Sequence, residues 1–261
     1  MSLVTLTTDF GTNGPYVAAL KGVLLDGAPD AQIVDITHTI RPQNVREAAL
    51  VLAQACPWFP PGTLHIVVVD PGVGTERHIV YAEIAGQRYL TPDNGVLSAL
   101  VREQAPSKLI VVENRQYWNK QISHTFHGRD IFAPVAAALL HGVKPEQFGP
   151  ATAHLKRFPW PKPYYQQPTV LRGEVLYIDP FGNLLTTIEP RYLPLDTLPE
   201  KFRWSCGGKT CHGLHATYGQ FAPGELIALT SSAGWCELAI VNGNAAEELQ
   251  VGVGELVEVS W

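Results

Sequence analysis

The strongest chemical pattern in the chain begins directly after an apolar run. Leu64–Val69 is short and rich in β-branched residues, which is typical of a buried strand. Asp70 follows it, and open α/β sheets place ligand-binding groups at that end of their strands. Glycine and proline residues then turn the chain sharply and bring Arg77 within reach of the same cleft. A carboxylate beside a guanidinium can orient and polarise a small reactant; the alternative role for this aspartate is to cap the turn.

Three other polar loops adjoin segments with the pattern of buried structure. Asp9–Asn13 comes after the strand-like run Val4–Thr8, and Asp179–Asn183 comes after another strand-like run. His127 lies in a glycine-containing turn before an apolar helical stretch. An imidazole titrates near neutral pH, so His127 is a candidate for taking or relaying a proton. Together these loops supply carboxylates, an amide and an imidazole.

In their order and spacing, these segments resemble the S-adenosyl-L-methionine (SAM) hydroxide adenosyltransferases, which are relatives of fluorinase and chlorinase. The resemblance runs nearly end to end and includes Thr91–Gly95 and Ser231–Ala245. It is carried by the set of motifs, since no single one is specific. It implies an α/β domain followed by a β-barrel-like domain. It also implies a homotrimer with sites between subunits.

The resemblance implies a role for each candidate residue. Asp70, Arg77 and His127 match the family's water-activating triad. Asp9 matches a residue that binds the ribose diol, although a turn acceptor is its alternative role. The other matching residues contact adenine or the methionine moiety. Asp179 matches a residue that binds the ammonium group, Asn183 one that binds adenine, and Phe181 one that packs on the substrate. The last segment contacts the methionine carboxylate and adenine, and its alignment with the family can shift by one position: Ser231, Ser232, Glu237 and Val241. The alternative for Asp179–Asn183 is a plain hairpin turn.

The implied reaction is attack of water on the 5′ carbon of SAM, which gives adenosine and L-methionine. Methionine leaves as a neutral thioether, so the site must mainly hold one water in line and help to remove its proton. A carboxylate about 4 Å from a halide would repel it by on the order of 4 kcal/mol at an effective dielectric near 20. Asp70 therefore favours a hydrolase over the alternative, a SAM-dependent halogenase. In the halogenating relatives the matching position is not acidic.

Two further alternatives belong to other functional classes. Asp70, His127, Asp130 and Asp9 could form a metal-dependent hydrolase site, although the chain lacks a compact ligand pair such as His-x-x-x-His. A nucleoside-binding module without turnover would need Asp9 and Asn183 but no triad. Because water attack on SAM requires no metal, we expect no cofactor, with SAM as the substrate.

Composition limits the partners and the location. The net charge of −5 provides no basic surface for nucleic acid or an anionic membrane, so we expect neither partner. No apolar run approaches the roughly 18 residues that span a bilayer, and the first residues carry no basic signal region. We therefore expect a cytoplasmic protein.

The alternation of strand-like and helix-like runs up to about residue 155 predicts a layered α/β sheet. We predict that residues 1–156 form this α/β domain, 157–168 a Pro-rich linker, and 169–261 a smaller antiparallel β-barrel-like domain. The predicted strands of the first domain are Val4–Thr8, Gln32–Ile36, Leu64–Val69, Ile79–Ile84 and Leu109–Val112, and its helices are Pro15–Leu25, Asn44–Cys56, Val96–Glu103 and Ile131–His141. The predicted strands of the second domain are Thr169–Asp179, Leu184–Ile188, Leu226–Thr230, Cys236–Val241 and Glu255–Val259.

The cysteines allow two interpretations. Cys206, Cys211, His212 and His215 lie within ten residues, which superficially suggests a zinc site. The glycine pair after Cys206 favours instead a hairpin turn with the cysteines on its flanking strands. The remaining two cysteines are expected to be buried free thiols.

Overall fold

The computed structural model describes residues 2–194 and 196–261. The chain divides into two compact units, Met1–Phe158 and Pro159–Trp261. Among the described residues, no helix combines the length and the apolar character needed to cross a membrane.

The first unit contains a mixed sheet in which the order of the strands is β2-β1-β3-β5-β4-β6. β1 pairs in parallel with β2 and β3, and β3 pairs in parallel with β5; β4 is antiparallel to both its neighbours. The strands are β1 (Ser2–Thr8), β2 (Ala31–Thr37), β3 (Leu64–Val68), β4 (Ile79–Ile84), β5 (Gln87–Pro92) and β6 (Lys108–Val111).

Helices cover both faces of this sheet. Ile66 and Val68 of β3 pack into one apolar cluster together with residues of α1 (Tyr16–Gly27) and α3 (Ala133–Leu140). Val67, which points the opposite way, packs into a second cluster with residues of α2 (Val45–Ala55). β3 is thus buried on both faces, which explains its continuous apolar sequence. Its carboxyl end is a rigid place from which to present a side chain.

The second unit is a nearly closed antiparallel sheet with the order β11-β10-β14-β8-β9-β13-β12, and β7 also pairs with β8. The end strands β11 and β12 contact each other. Gly173 lies where β8 passes from β14 to β9, and a Cβ there would meet the Thr187 hydroxyl at 2.5 Å. The elements are β7 (Tyr164–Gln167), β8 (Val170–Ile178), β9 (Leu184–Thr186), β10 (Arg203–Cys206), β11 (Lys209–His212), β12 (Leu226–Thr230), β13 (Cys236–Ile240), α4 (Ala245–Leu249) and β14 (Leu256–Ser260).

The predicted fold class is confirmed, but three elements differ from expectation. The predicted helix Val96–Glu103 is wrong, because this segment consists of buried turns that lead to a short 3₁₀ helix, Leu100–Arg102. The prediction failed since compact buried turns can have the same spacing of apolar residues as a helix. β5 was not predicted, since its sequence mixes polar and apolar residues. β7 lies inside the predicted Pro-rich linker, where paired tyrosines and glutamines form an exposed strand against β8.

Candidate functional site

The three predicted catalytic residues come together in the first unit. Asp70 lies two positions after β3, Arg77 lies two positions before β4, and His127 directly precedes a π-helical turn, Gly128–Phe132, that continues into α3. π-Helical turns occur frequently at functional sites. Gly74 has a φ of +78°, and a Cβ there would lie 2.4 Å from the carbonyl oxygen of His124. Only glycine allows this close approach between the Asp70 turn and the loop that carries His127.

Arg77 connects the other two members of the triad. Its Nε donates to Asp70 Oδ2 at 2.8 Å, and its Nη2 approaches the same oxygen at 2.5 Å. Nη2 also donates to Nδ1 of His127 at 3.0 Å. The side chains of Arg77 and Asp70 are only 10% and 4% exposed, so solvent screens this pair weakly. The backbone N–H of Gly72 donates to the other oxygen of Asp70 at 3.2 Å.

The contact with Arg77 determines the protonation state of His127. A guanidinium has donors but no acceptor, so Nδ1 of His127 must be the acceptor in this bond. The imidazole is therefore neutral and carries its proton on Nε2. Burial, and next the charge of Arg77, lower the pKa of His127 below its ordinary value, which is consistent with a neutral ring.

A small cavity lies against two members of the triad. Its volume is about 60 Å³, enough for one or two waters. Carboxylates, an imidazole and aromatic rings line it: Asp9, Phe10, Val68, Asp70, Val73, Thr125, Phe126, His127 and Gly128. This wall offers both an acceptor and a donor to a bound water.

Asp9 reaches the same cavity and is held by a residue that the sequence did not point to. Its Oδ2 accepts a hydrogen bond from the backbone N–H of Gln43 at 2.8 Å. Gln43 has a φ of +64°, a left-handed conformation that non-glycine residues adopt rarely. Such backbone strain clusters at ligand sites. No local sequence signal could have identified Gln43, because glycine or asparagine usually marks this conformation.

A larger pocket of about 710 Å³ lies in the second unit. Most of the predicted substrate-binding residues of this unit line it. The lining comprises Asp179, Phe181, Asn183, Ala216, Tyr218, Leu229, Thr230, Ser231, Ser232, Glu237, Ile240, Asn242 and Gly243.

The Asp179–Asn183 segment is both a turn and part of this pocket. Oδ1 of Asp179 accepts from the backbone N–H groups of Phe181 and Asn183 at 2.9 and 2.8 Å. Its Oδ2 accepts from the side-chain amide of Asn183 at 3.0 Å. The donor end of that amide is thus engaged, while its carbonyl oxygen remains an acceptor. The Phe181 side chain is 76% exposed, so its ring is open to a ligand.

Glu237 is a buried acid in the wall of the pocket. It accepts from the Tyr218 hydroxyl at 2.5 Å. Burial raises the pKa of Glu237 above its ordinary value of 4.5; the charge of Asp179 acts in the same direction, and the Tyr218 bond opposes both. Ser231 places a buried hydroxyl here for which the described residues provide no hydrogen-bond partner. Val241 instead packs in an apolar cluster, and Asn242 lines the pocket beside it.

Neither group of residues considered as a metal site is arranged around a metal position. Cys206 and Cys211 lie on the β10–β11 hairpin with their side chains buried, as the hairpin interpretation expects. Asp130 is bound by Arg129 through two contacts of 2.6 and 2.9 Å and by the backbone N–H of Ser123. In the part of the chain that the structure describes, no group of three or more His, Cys, Asp or Glu residues is arranged to hold a metal ion.

Comparisons with known proteins agree along the whole chain. Residues 4–149 match the model of the SAM hydroxide adenosyltransferase N-terminal domain, and residues 173–258 match that of the C-terminal domain. The chain is 37% identical to a protein of Salinispora tropica named (R)-S-adenosyl-L-methionine hydrolase, over 98% of this chain and 97% of that protein. A Fluorinase of Actinoplanes sp. is 29% identical over 71% of each chain.

A solved structure has the same fold. It is described as an uncharacterized conserved protein from Thermotoga maritima, and it superposes with a TM-score of 0.90 at 36% identity over 99% of this chain and 100% of its own. Both domain models and the whole-chain identity lead to one conclusion. The chain belongs to the SAM hydroxide adenosyltransferase family.

Proposed function

We propose that this protein is an enzyme that hydrolyses SAM to adenosine and L-methionine. The observation that carries the proposal is the Asp70–Arg77–His127 arrangement beside a cavity the size of one or two waters. The hydrolases among its relatives support the choice of substrate.

In this mechanism a water in the cavity lies between an acceptor and a donor. Asp70 accepts one hydrogen bond from the water, and the Nε2–H of His127 donates to its oxygen. As the oxygen bonds to C5′, the C5′–S bond breaks and its electron pair goes to sulfur, which becomes a neutral thioether. The water's proton passes to Asp70 and then to solvent.

The Arg77 contact changes the part that the imidazole plays. The sequence suggested that His127 takes or relays the proton. With Nδ1 accepting from Arg77, its basic nitrogen is occupied, so His127 acts as a donor that stabilises the developing hydroxide. Asp70 is then the proton acceptor. Arg77 holds both groups in place and adds a positive charge near the oxygen.

The remaining predicted contacts are assigned to substrate recognition. Asp9, oriented by Gln43, binds the ribose diol. In the second unit the acids of the large pocket attract the substrate's ammonium group, and the Asn183 carbonyl accepts from the adenine amino group. Ser231 and Ser232 offer hydroxyls to the methionine carboxylate.

We also propose a homotrimer in which the first unit of one subunit faces the second unit of a neighbour. The family resemblance supports this arrangement, and the separation of the predicted contacts into two units makes it testable. The proposed location is the cytoplasm, where the four buried free thiols would stay reduced.

The test of the reaction is turnover of SAM in water enriched in oxygen-18. Adenosine and methionine should form in equal amounts, with the label on the 5′ oxygen of adenosine. Label absent from adenosine, or no turnover by the folded protein, would reject the proposal. The reaction is repeated with a chelator, and loss of activity there would favour a metal-dependent hydrolase. It is also repeated in chloride or fluoride to test the halogenase alternative. Formation of 5′-halo-adenosine would favour the latter.

A further inference from the structure

An aromatic cluster lies at the triad cavity and is not used by the mechanism above. Phe10, Tyr16 and Phe126, here called the aromatic cluster, pack against one another in all three pairs. Their ring centroids are 5.2 Å apart for Tyr16 and Phe126, 5.8 Å for Phe10 and Phe126, and 6.0 Å for Phe10 and Tyr16. The rings are tilted or edge-on to one another, the arrangement that aromatic quadrupoles favour.

The cluster extends from the cavity wall to the surface. Phe10 and Phe126 line the cavity beside Asp70 and His127. Tyr16, at the start of α1, touches both rings and is 51% exposed. Gly128 lies close by: a Cβ there would approach Phe10 at 3.3 Å and Phe126 at 3.5 Å. An exposed tyrosine beside two half-buried phenylalanines leaves ring surface available to a ligand.

In-line attack determines where the leaving sulfur lies. If water occupies the cavity between Asp70 and His127, the sulfur must lie on the far side of C5′ from that water. Phe10 and Phe126 line the water cavity, and Tyr16 extends the cluster from there to the surface. Because the sulfur is bonded to C5′, the carbon that the water attacks, it would lie close to the outer part of this cluster. SAM carries a full positive charge on this sulfur, and aromatic faces attract cations, most strongly when both are desolvated.

We propose that the aromatic cluster recognises the sulfonium of the substrate through cation–π contacts and so selects SAM over neutral thioethers. This inference rests on the proposed function. Phe126 already holds the guanidinium of Arg129, whose Cζ lies 5.0 Å from its ring centroid. Phe10 and Tyr16 are therefore the rings assigned to the sulfonium.

The contact has a defined kinetic consequence. The sulfonium loses its charge as the C5′–S bond breaks, so the attraction is stronger in the bound substrate than in the transition state. Interactions of that kind lower Kd and KM but also lower kcat, because they stabilise the bound substrate more than the transition state. They also vanish once methionine has formed, which assists product release.

The test compares SAM with S-adenosylhomocysteine, a neutral thioether that lacks one methyl group and the positive charge. Calorimetry gives Kd for both ligands in an Asp70→Asn background, where SAM persists. Tyr16→Leu and Phe10→Leu should each reduce the preference for SAM by roughly 2- to 30-fold, with little change for S-adenosylhomocysteine. Tyr16→Phe keeps the aromatic face and should retain the preference.

An equal loss of affinity for both ligands would show that the rings supply only apolar packing and would overturn the inference. Equal affinity for both ligands before any ring is changed would also overturn it. Turnover by the protein with Asp70 intact is measured separately. A preserved, ring-dependent preference for SAM without adenosine formation would reject the proposed hydrolysis while supporting sulfonium recognition.

Discussion

The triad of the first unit and the pocket of the second unit differ in size and in how many polar groups they leave free for a ligand. Around the triad, protein groups bind one another: Arg77 donates to both Asp70 and His127, and the adjoining cavity is about 60 Å³. The second-unit pocket is about 710 Å³, and its described lining contains acids, hydroxyls and amides but no lysine, arginine or histidine. A reaction centre gains from groups that are held before the substrate arrives, whereas a recognition surface needs unused donors and acceptors.

Removing the proton acceptor should have the largest effect. Asp70→Asn should lower kcat by about 10²- to 10⁴-fold with little change in KM, because it removes a positioned base but no proposed contact to the substrate. Arg77→Ala should act similarly. The double variant should lose far less than the product of the two losses, because both groups act on one proton. Steady-state kinetics check this, and full activity in Asp70→Asn would reject the triad.

Asp9 lines the triad cavity and is the proposed ligand of the ribose diol, so its removal should weaken the binding of adenosine. Asp9→Ala should weaken adenosine binding by about 10- to 150-fold, since a charge-assisted hydrogen bond contributes about 1.5–3 kcal/mol. Calorimetry with adenosine is the measurement. Glu146→Ala, which removes an exposed carboxylate paired with Lys108, is a matched charge control and should leave the affinity unchanged. Unchanged affinity in a folded Asp9→Ala protein would remove Asp9 from the site.

Mixing subunits tests whether the two regions work together across an interface. Asp70→Ala and Asn183→Ala change different units, so a mixed trimer would contain some sites with both residues intact. Random mixing in equal amounts should restore about a quarter of normal turnover. Asp70→Ala mixed with Arg77→Ala is the control, because both changes lie in the same unit and no site can recover. No recovery in verified mixed oligomers would favour a site made within one chain.

The smallest predicted effect concerns the buried acid of the pocket. Glu237 must be ionised to attract the substrate's ammonium, and its pKa is raised above 4.5. As pH falls from about 8 through that raised pKa, KM for SAM should increase by about 3- to 10-fold. Tyr218→Phe removes a hydrogen bond that stabilises the charged form, so the increase should begin at higher pH. Glu237→Gln should have a high KM that changes little with pH; a profile like that of the unmodified protein would contradict the assignment.

The local sequence pattern predicted those helices and strands whose apolar residues recur at a regular spacing. Leu226–Thr230 forms a strand with the predicted bounds, and the predicted helix Asn44–Cys56 corresponds closely to α2. The prediction failed for Val96–Glu103, where buried turns produce the same apolar spacing as a helix. β5 was missed because its pairing with β3 and β4, and not its own composition, makes it a strand.

The sequence by itself determined which chemical groups are present and that each adjoins a structural element: Asp9 after β1, Asp70 after β3, His127 before α3. Only the tertiary structure decided what these groups do to one another. Arg77 and His127 are 50 residues apart, and their hydrogen bond makes the imidazole a donor. Gln43 reaches Asp9 across 34 residues through a backbone conformation that its own sequence does not favour. Such contacts depend on strand order and loop packing, which no local pattern encodes.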